Sequence, residues 1–158
     1  MVLIDALEPF RAAGLEPANR ESLLPYLREK RADSAYEIPL DVEVTNPGGQ
    51  PTIISKSNAR NLLYSFPQMV AHHTITGCNL RTGDLLGSGT ISGKEGKTEG
   101  SFLEQTNGKV PIKLADGSER MFLEDGDTVT LRGMAGTEGN YVGFGDCVGT
   151  ILPAVSLQ

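Results

Sequence analysis

Between Tyr36 and Thr45 the chain alternates. Tyr36, Ile38, Leu40, Val42 and Val44 fall on one face, with mostly polar residues opposite. A period of two marks a strand with one face buried and one face wet. Pro39 offers no N–H to a ladder, which points to an edge position or a bulge. Asn46-Pro47-Gly48-Gly49 has the composition of a turn, and Pro51 to Lys56 reads as a second strand. The two form a predicted antiparallel hairpin.

Composition agrees with a sheet protein. Glycine accounts for 19 of the 158 residues, against an average usage near ~7 %. Glycine at that level, without low-complexity repeats, favours turns and bulges over a helical bundle. The length suits one domain that buries roughly two thirds of its unfolded surface. The net charge is −6, with no basic run and only 4 Tyr and 5 Phe, which argues against nucleic acid as partner. No apolar stretch of about 20 residues exists, so no transmembrane helix and no membrane partner is expected. The start, MVLIDALEPF, has neither the basic region nor the long apolar core of a signal peptide. Cys78 and Cys147 lack the C-x-x-C spacing of a redox or zinc site and read as reduced, partly buried thiols in a cytoplasmic protein.

Along the chain, Val2–Leu7 reads as an apolar strand. A chain that opens inside a strand, without a polar lead-in, carries the expectation of further sequence upstream. Residues 9–33 are loop-like, punctuated by Pro9, Gly14, Pro17 and Pro25. Ser57 caps a helix predicted over about 57–74, with Leu62, Leu63, Phe66, Met69, Val70 and His73 at helical spacing, a kink at Pro67 and a stop at Gly77. Strands are expected at 85–91, 110–114, 120–123, 128–132 and 141–152. Asp116-Gly117 is the strongest hairpin signal, and Asp125-Gly126-Asp127 is a further turn. The fold class is a β-rich α+β domain with one main helix.

Four features bear on chemistry. His72 and His73 are adjacent, so on a helix they point about 100° apart and cannot share a metal from one face; one is expected to face the core and the other a polar neighbour. Asp84, Asp125, Asp127 and Asp146 sit beside glycine at turns, where aspartate bonds nearby N–H groups, and a structural role is expected of each. Thr90 stands between Gly89 and Gly93 in a glycine-rich strand exit, where its hydroxyl and nearby N–H groups suit an oxyanion. Glu104 ends a flexible loop against the apolar pair Phe102-Leu103, a setting for an acid, a base or a water-orienting group.

These elements occur in a familiar order. Ser57-Asn58, His72-His73, Gly77-Cys78-Asn79-Leu80-Arg81, Gly83-Asp84-Leu85-Leu86, Ser88-Gly89-Thr90-Ile91-Ser92-Gly93, Gly100-Ser101, Leu103-Glu104, Phe122-Leu123, Asp125-Gly126-Asp127, Gly143-Phe144-Gly145 and Leu152-Pro153-Ala154 resemble the C-terminal part of the fumarylacetoacetase (fumarylacetoacetate hydrolase) family. The resemblance starts near Asp5 and covers nearly the whole chain. It implies part of a mixed β-roll, residues 1–158 being the C-terminal portion of a catalytic domain whose first half, and a preceding N-terminal β-barrel, are absent. It implies metal-dependent hydrolysis of the carbon–carbon bond of 4-fumarylacetoacetate, a β-diketo acid, to fumarate and acetoacetate, the last step of tyrosine and phenylalanine catabolism. Mg²⁺ or Ca²⁺ and a homodimer in the full-length enzyme are implied as well. By motif position Glu104 matches the glutamate that orients water, and Thr90 the threonine that binds substrate. The family's metal carboxylates, its water-activating His and its substrate-binding Arg, Gln and Lys match nothing in this chain, so no metal ligand is assigned here. His72 and His73 match a non-catalytic pair. Thr82 replaces the family's usual Pro, and residues 94–99 lack its usual prolines.

Three readings follow. The first is one half of a C–C hydrolase, inactive alone. The second is a non-catalytic oligomerisation or binding module, since a cut sheet exposes edges and apolar surface. The third is a standalone metal site built from Asp84, Asp125, Asp127 and Glu104.

Overall fold

The computed structural model describes residues 2–17 and 20–156; Met1, on which the question of upstream sequence turns, lies outside them. Its elements in chain order are β1 (Arg11–Ala12), β2 (Ala35–Tyr36), β3 (Pro39–Thr45), β4 (Thr52–Asn58), α1 (Phe66–Thr74), α2 (Phe102–Thr106), β5 (Ile112–Lys113), β6 (Glu119–Arg120), β7 (Thr128–Thr137) and β8 (Asn140–Thr150). Four strands form the main sheet in the order β4-β3-β7-β8. Two small ladders, β1 with β2 and β5 with β6, stand apart from it. The β-rich class with few helices holds, and every pairing among the described residues is antiparallel.

The expected hairpin is β3–β4, closed by the Gly49 N–H donating to the Asn46 carbonyl at 3.0 Å. Its first strand is central, not an edge, because β7 pairs along its other side from Leu40 to Thr45. Pro39 is tolerated because it is the first residue of the strand and precedes the β7 ladder. The alternating face does bury: Tyr36, Ile38 and Val44 are buried, and Tyr36 and Ile38 form the core with Leu7, Ala59 and Ala135.

The segment 2–7 is not a strand. Ile4–Phe10 is a 3-10 helix, in which residues three apart eclipse, so Leu7 and Phe10 reach the core together. The long helix over 57–74 is also corrected. Ser57 and Asn58 end β4, Ala59–Asn61 is a single 3-10 turn capped by Asn58, and α1 starts only at Phe66. Pro67 explains the late start. Inside a longer helix it would clash with the preceding turn, whereas the second helical position costs nothing. Ser65 and Gln68 form a capping box there, and no kink is needed. Only Gln68 of α1 is buried; it donates to the Leu27 carbonyl at 2.7 Å. Leu63, Phe66 and Val70 stay exposed. Residues 85–91 form no strand and Leu85 is 96% exposed, since the run meets no partner edge. The remaining expected strands are present: β5 and β6 are shorter than expected, β7 runs on to Thr137, and β8 ends at Thr150.

The turn at 124–127 fastens the far end of the sheet. Asp127 is fully buried, and Arg120 grips both its oxygens, Nε at 2.9 Å and Nη2 at 3.0 Å. Asp127 also accepts the Glu124 N–H at 2.9 Å, and its backbone carbonyl accepts the Ile151 N–H. The Arg120 hydrogen bonds hold its carboxyl below the usual carboxylate range. A depressed folded pKa stabilises above the unfolded value of ~3.9 and ceases to as pH falls through the folded value. Asp127→Asn should therefore cost about 3–5 kcal/mol in urea unfolding at pH 7. The gap between wild type and variant should narrow as the pH is taken below about 4.

Candidate functional site

The segment from Ile91 to Glu104 is laid along the open edge of β4. Lys56 donates its N–H to the Lys97 carbonyl at 2.9 Å, and Ser57 Oγ donates to the Ile91 carbonyl at 2.8 Å. Gly93 N–H bonds the Thr98 carbonyl at 3.1 Å and closes the loop on itself. Ser101 then caps α2, a helix absent from the sequence expectation, by accepting the Glu104 N–H at 3.3 Å.

These contacts fix Glu104. Its Oε2 accepts from Ser92 Oγ at 2.8 Å and from Ser101 Oγ at 3.2 Å. Ser92 Oγ in turn accepts the Gly100 N–H at 3.0 Å. Both hydroxyls thus serve as donor and acceptor at once. Glu104 is exposed, and Oε1 makes no hydrogen bond to the described residues. The carboxylate is held by one oxygen and open at the other. It stands on a capped helix, not at the end of a flexible loop. Ser101-x-x-Glu104 has the spacing of a capping box, a signal that would have revealed both the helix and the serine. Ser92, twelve residues away in sequence, had no such signal.

Thr90 is exposed, and its methyl lies against Gly100, so the two expected site residues flank one loop. Its hydroxyl has no hydrogen-bond partner among the described residues. A Cβ at Gly100 would overlap that methyl and stand 2.9 Å from the Ile91 carbonyl. An apolar groove of about 550 Å³ begins at Gly100 and Ser101 and runs over Val42, Ile54, Phe102 and Leu131.

The other candidates separate from this site. Asp84 accepts the Arg81 N–H at 2.8 Å, Asp127 is consumed by Arg120, and Asp146 pairs with Arg132 at 3.1 Å, so their roles are structural. Asp125 is an exposed turn residue. Among the described residues, no group of three or more His, Cys, Asp or Glu is arranged to hold a metal, and Asp84, Asp125, Asp127 and Glu104 are not gathered into one. Both histidines are exposed, contrary to the expectation that one faces the core: His72 Nδ1 bonds the Tyr26 hydroxyl at 3.1 Å, and His73 Nε2 lies 3.2 Å from Cys78 Sγ. Both cysteines are unpaired and exposed, not partly buried.

Gly100→Ala should dislodge the loop from Thr90. Hydrogen exchange over residues 88–104 should accelerate, while exchange in β3 and β7 stays unchanged.

A family model described as fumarylacetoacetate (FAA) hydrolase C-terminal matches residues 23–152. A fumarylacetoacetase of Emericella nidulans is 86% identical over 158 residues, covering 100% of this chain and 37% of the relative. The fumarylacetoacetase of Arabidopsis thaliana is 47% identical over 98% of this chain and 36% of its own length, and that of Homo sapiens 41% over 98% and 37%. This chain thus spans little more than a third of the relatives it matches. With the edge-bound loop, the Glu104 clasp and the sheet now described, the chain belongs to the fumarylacetoacetate hydrolase family, by its C-terminal domain.

Proposed function

We propose that this chain supplies one wall of a hydrolase site for a small β-diketo acid, 4-fumarylacetoacetate. Hydrolysis places the hydroxyl of water on an acyl carbon and a proton on the departing carbon. In this reading Glu104 orients the attacking water through Oε1, and the Thr90 hydroxyl donates to a substrate oxygen. The observation that supports it is the Ser92–Glu104–Ser101 clasp, which holds a carboxylate rigidly and leaves one oxygen free. A side chain fixed by second contacts is what positioned catalysis requires.

The family resemblance implies Mg²⁺ or Ca²⁺. The residues described here do not form a cluster that fits such an ion. We infer that the metal ligands and the water-activating base come from polypeptide beyond these residues, and that the chain alone does not turn over substrate. The resemblance also supports a homodimer and a place in cytoplasmic tyrosine and phenylalanine catabolism. No helix among the described residues is long and apolar enough to cross a membrane.

The second reading, a non-catalytic binding module, is favoured by one feature. The edge strand β8 keeps Tyr141, Phe144 and Val148 exposed beside an open ladder. The two readings separate by kinetics. In the full-length protein Glu104→Gln should lower kcat on the order of 10²-fold with little change in KM. Thr90→Val should act mainly on KM. Unchanged kinetics in both variants would leave the binding module.

A further inference from the structure

We propose that Cys78 is an electrophile-reactive thiol, served by His73 as its base, that takes up α,β-unsaturated carbonyl compounds by addition across the double bond. Cys78 Sγ lies 3.2 Å from His73 Nε2, and both residues are exposed. The pairing is built by the end of α1. The helix stops at Thr74, and Gly77 adopts the left-handed conformation at φ 89° while its N–H bonds the Thr74 carbonyl at 2.9 Å. That reversal returns Cys78 to the last helical turn, and a side chain at position 77 would strain it. A thiol within hydrogen-bond reach of an imidazole is the arrangement of a nucleophile with its base.

The rest of the chain supplies the contrast. Cys147 is also exposed, on β8, but has no imidazole beside it among the described residues. His72 is engaged with the Tyr26 hydroxyl through Nδ1 and has no thiol beside it among the described residues. In the step itself, His73 Nε2 takes the thiol proton as the sulfur pair forms a bond to the β-carbon. The π pair moves onto the carbonyl as an enolate, and the α-carbon takes the proton back. S–H has added across C=C, and nothing is oxidised or reduced. The fumaryl end of the substrate proposed above is one such compound. The inference does not rest on it, because monomethyl fumarate and iodoacetamide serve as the probes.

The full-length protein is treated with each probe in turn, and the labelling rates of Cys78 and Cys147 are followed by peptide mass mapping. Cys78 should react roughly tenfold or more faster than Cys147. His73→Gln should bring Cys78 down to the Cys147 rate, and His72→Gln should leave it fast. Equal rates in the wild type would overturn the proposal whether or not any variant folds. A His73→Gln protein that labels Cys78 as fast as wild type would overturn it too, as would a loss matched by His72→Gln.

Discussion

The central placement of β3 is the constraint on which the rest of the structure depends. Its ladders to β4 and β7 satisfy the backbone on both sides and pin the register, so that Tyr36 and Ile38, which lead into it, and Val44 all face inward. β4 is then left with one open edge. An open edge is a template for more chain, and here the segment after Ile91 takes it through Lys56 and Ser57. The position of Glu104 is inherited from that edge. The site is a consequence of how the sheet is ordered.

The opposite end of the sheet is secured by different physics. Arg120 and Asp127 form a bidentate pair with no exposure at the carboxylate, which is stabilising only because every oxygen finds a donor. It ties the short hairpin β5–β6 to the turn that opens β7 and, through Ile151, to the end of β8. Asp116 plays a milder part. Asn46 and Ser118 donate to it and hold its carboxyl at about 2, which joins the β3–β4 turn to the same hairpin. Arg132 bridges Glu43 and Asp146 across three strands, but on an exposed face where such pairs contribute little.

The sheet was legible in the sequence because period-two alternation and turn residues are local signals. The β3–β4 hairpin, the Asp116-Gly117 turn and the strands after Thr128 were all readable that way. What was misread depended on distant partners or on rival local signals. Residues 85–91 have the composition of a strand but meet no edge. The helical spacing from Leu62 onward overran the helix, because Pro67 and the Ser65–Gln68 box decide where it starts. Thr90 and Glu104 were picked out by their surroundings and by family resemblance. Their nearness was not readable, because it rests on Ser92 and Gly100 meeting through a closed loop.

The picture that emerges is of a rigid carboxylate and an unengaged hydroxyl on one loop, beside an apolar groove, with no metal-binding cluster among the described residues. On the function proposed above, these residues would form one wall of a site for breaking a carbon–carbon bond. The most direct test is to assay 4-fumarylacetoacetate hydrolysis by purified residues 1–158, with Mg²⁺ and Ca²⁺ supplied. The account predicts no turnover above the uncatalysed rate. Sustained, stoichiometric release of fumarate and acetoacetate by this chain alone would contradict it.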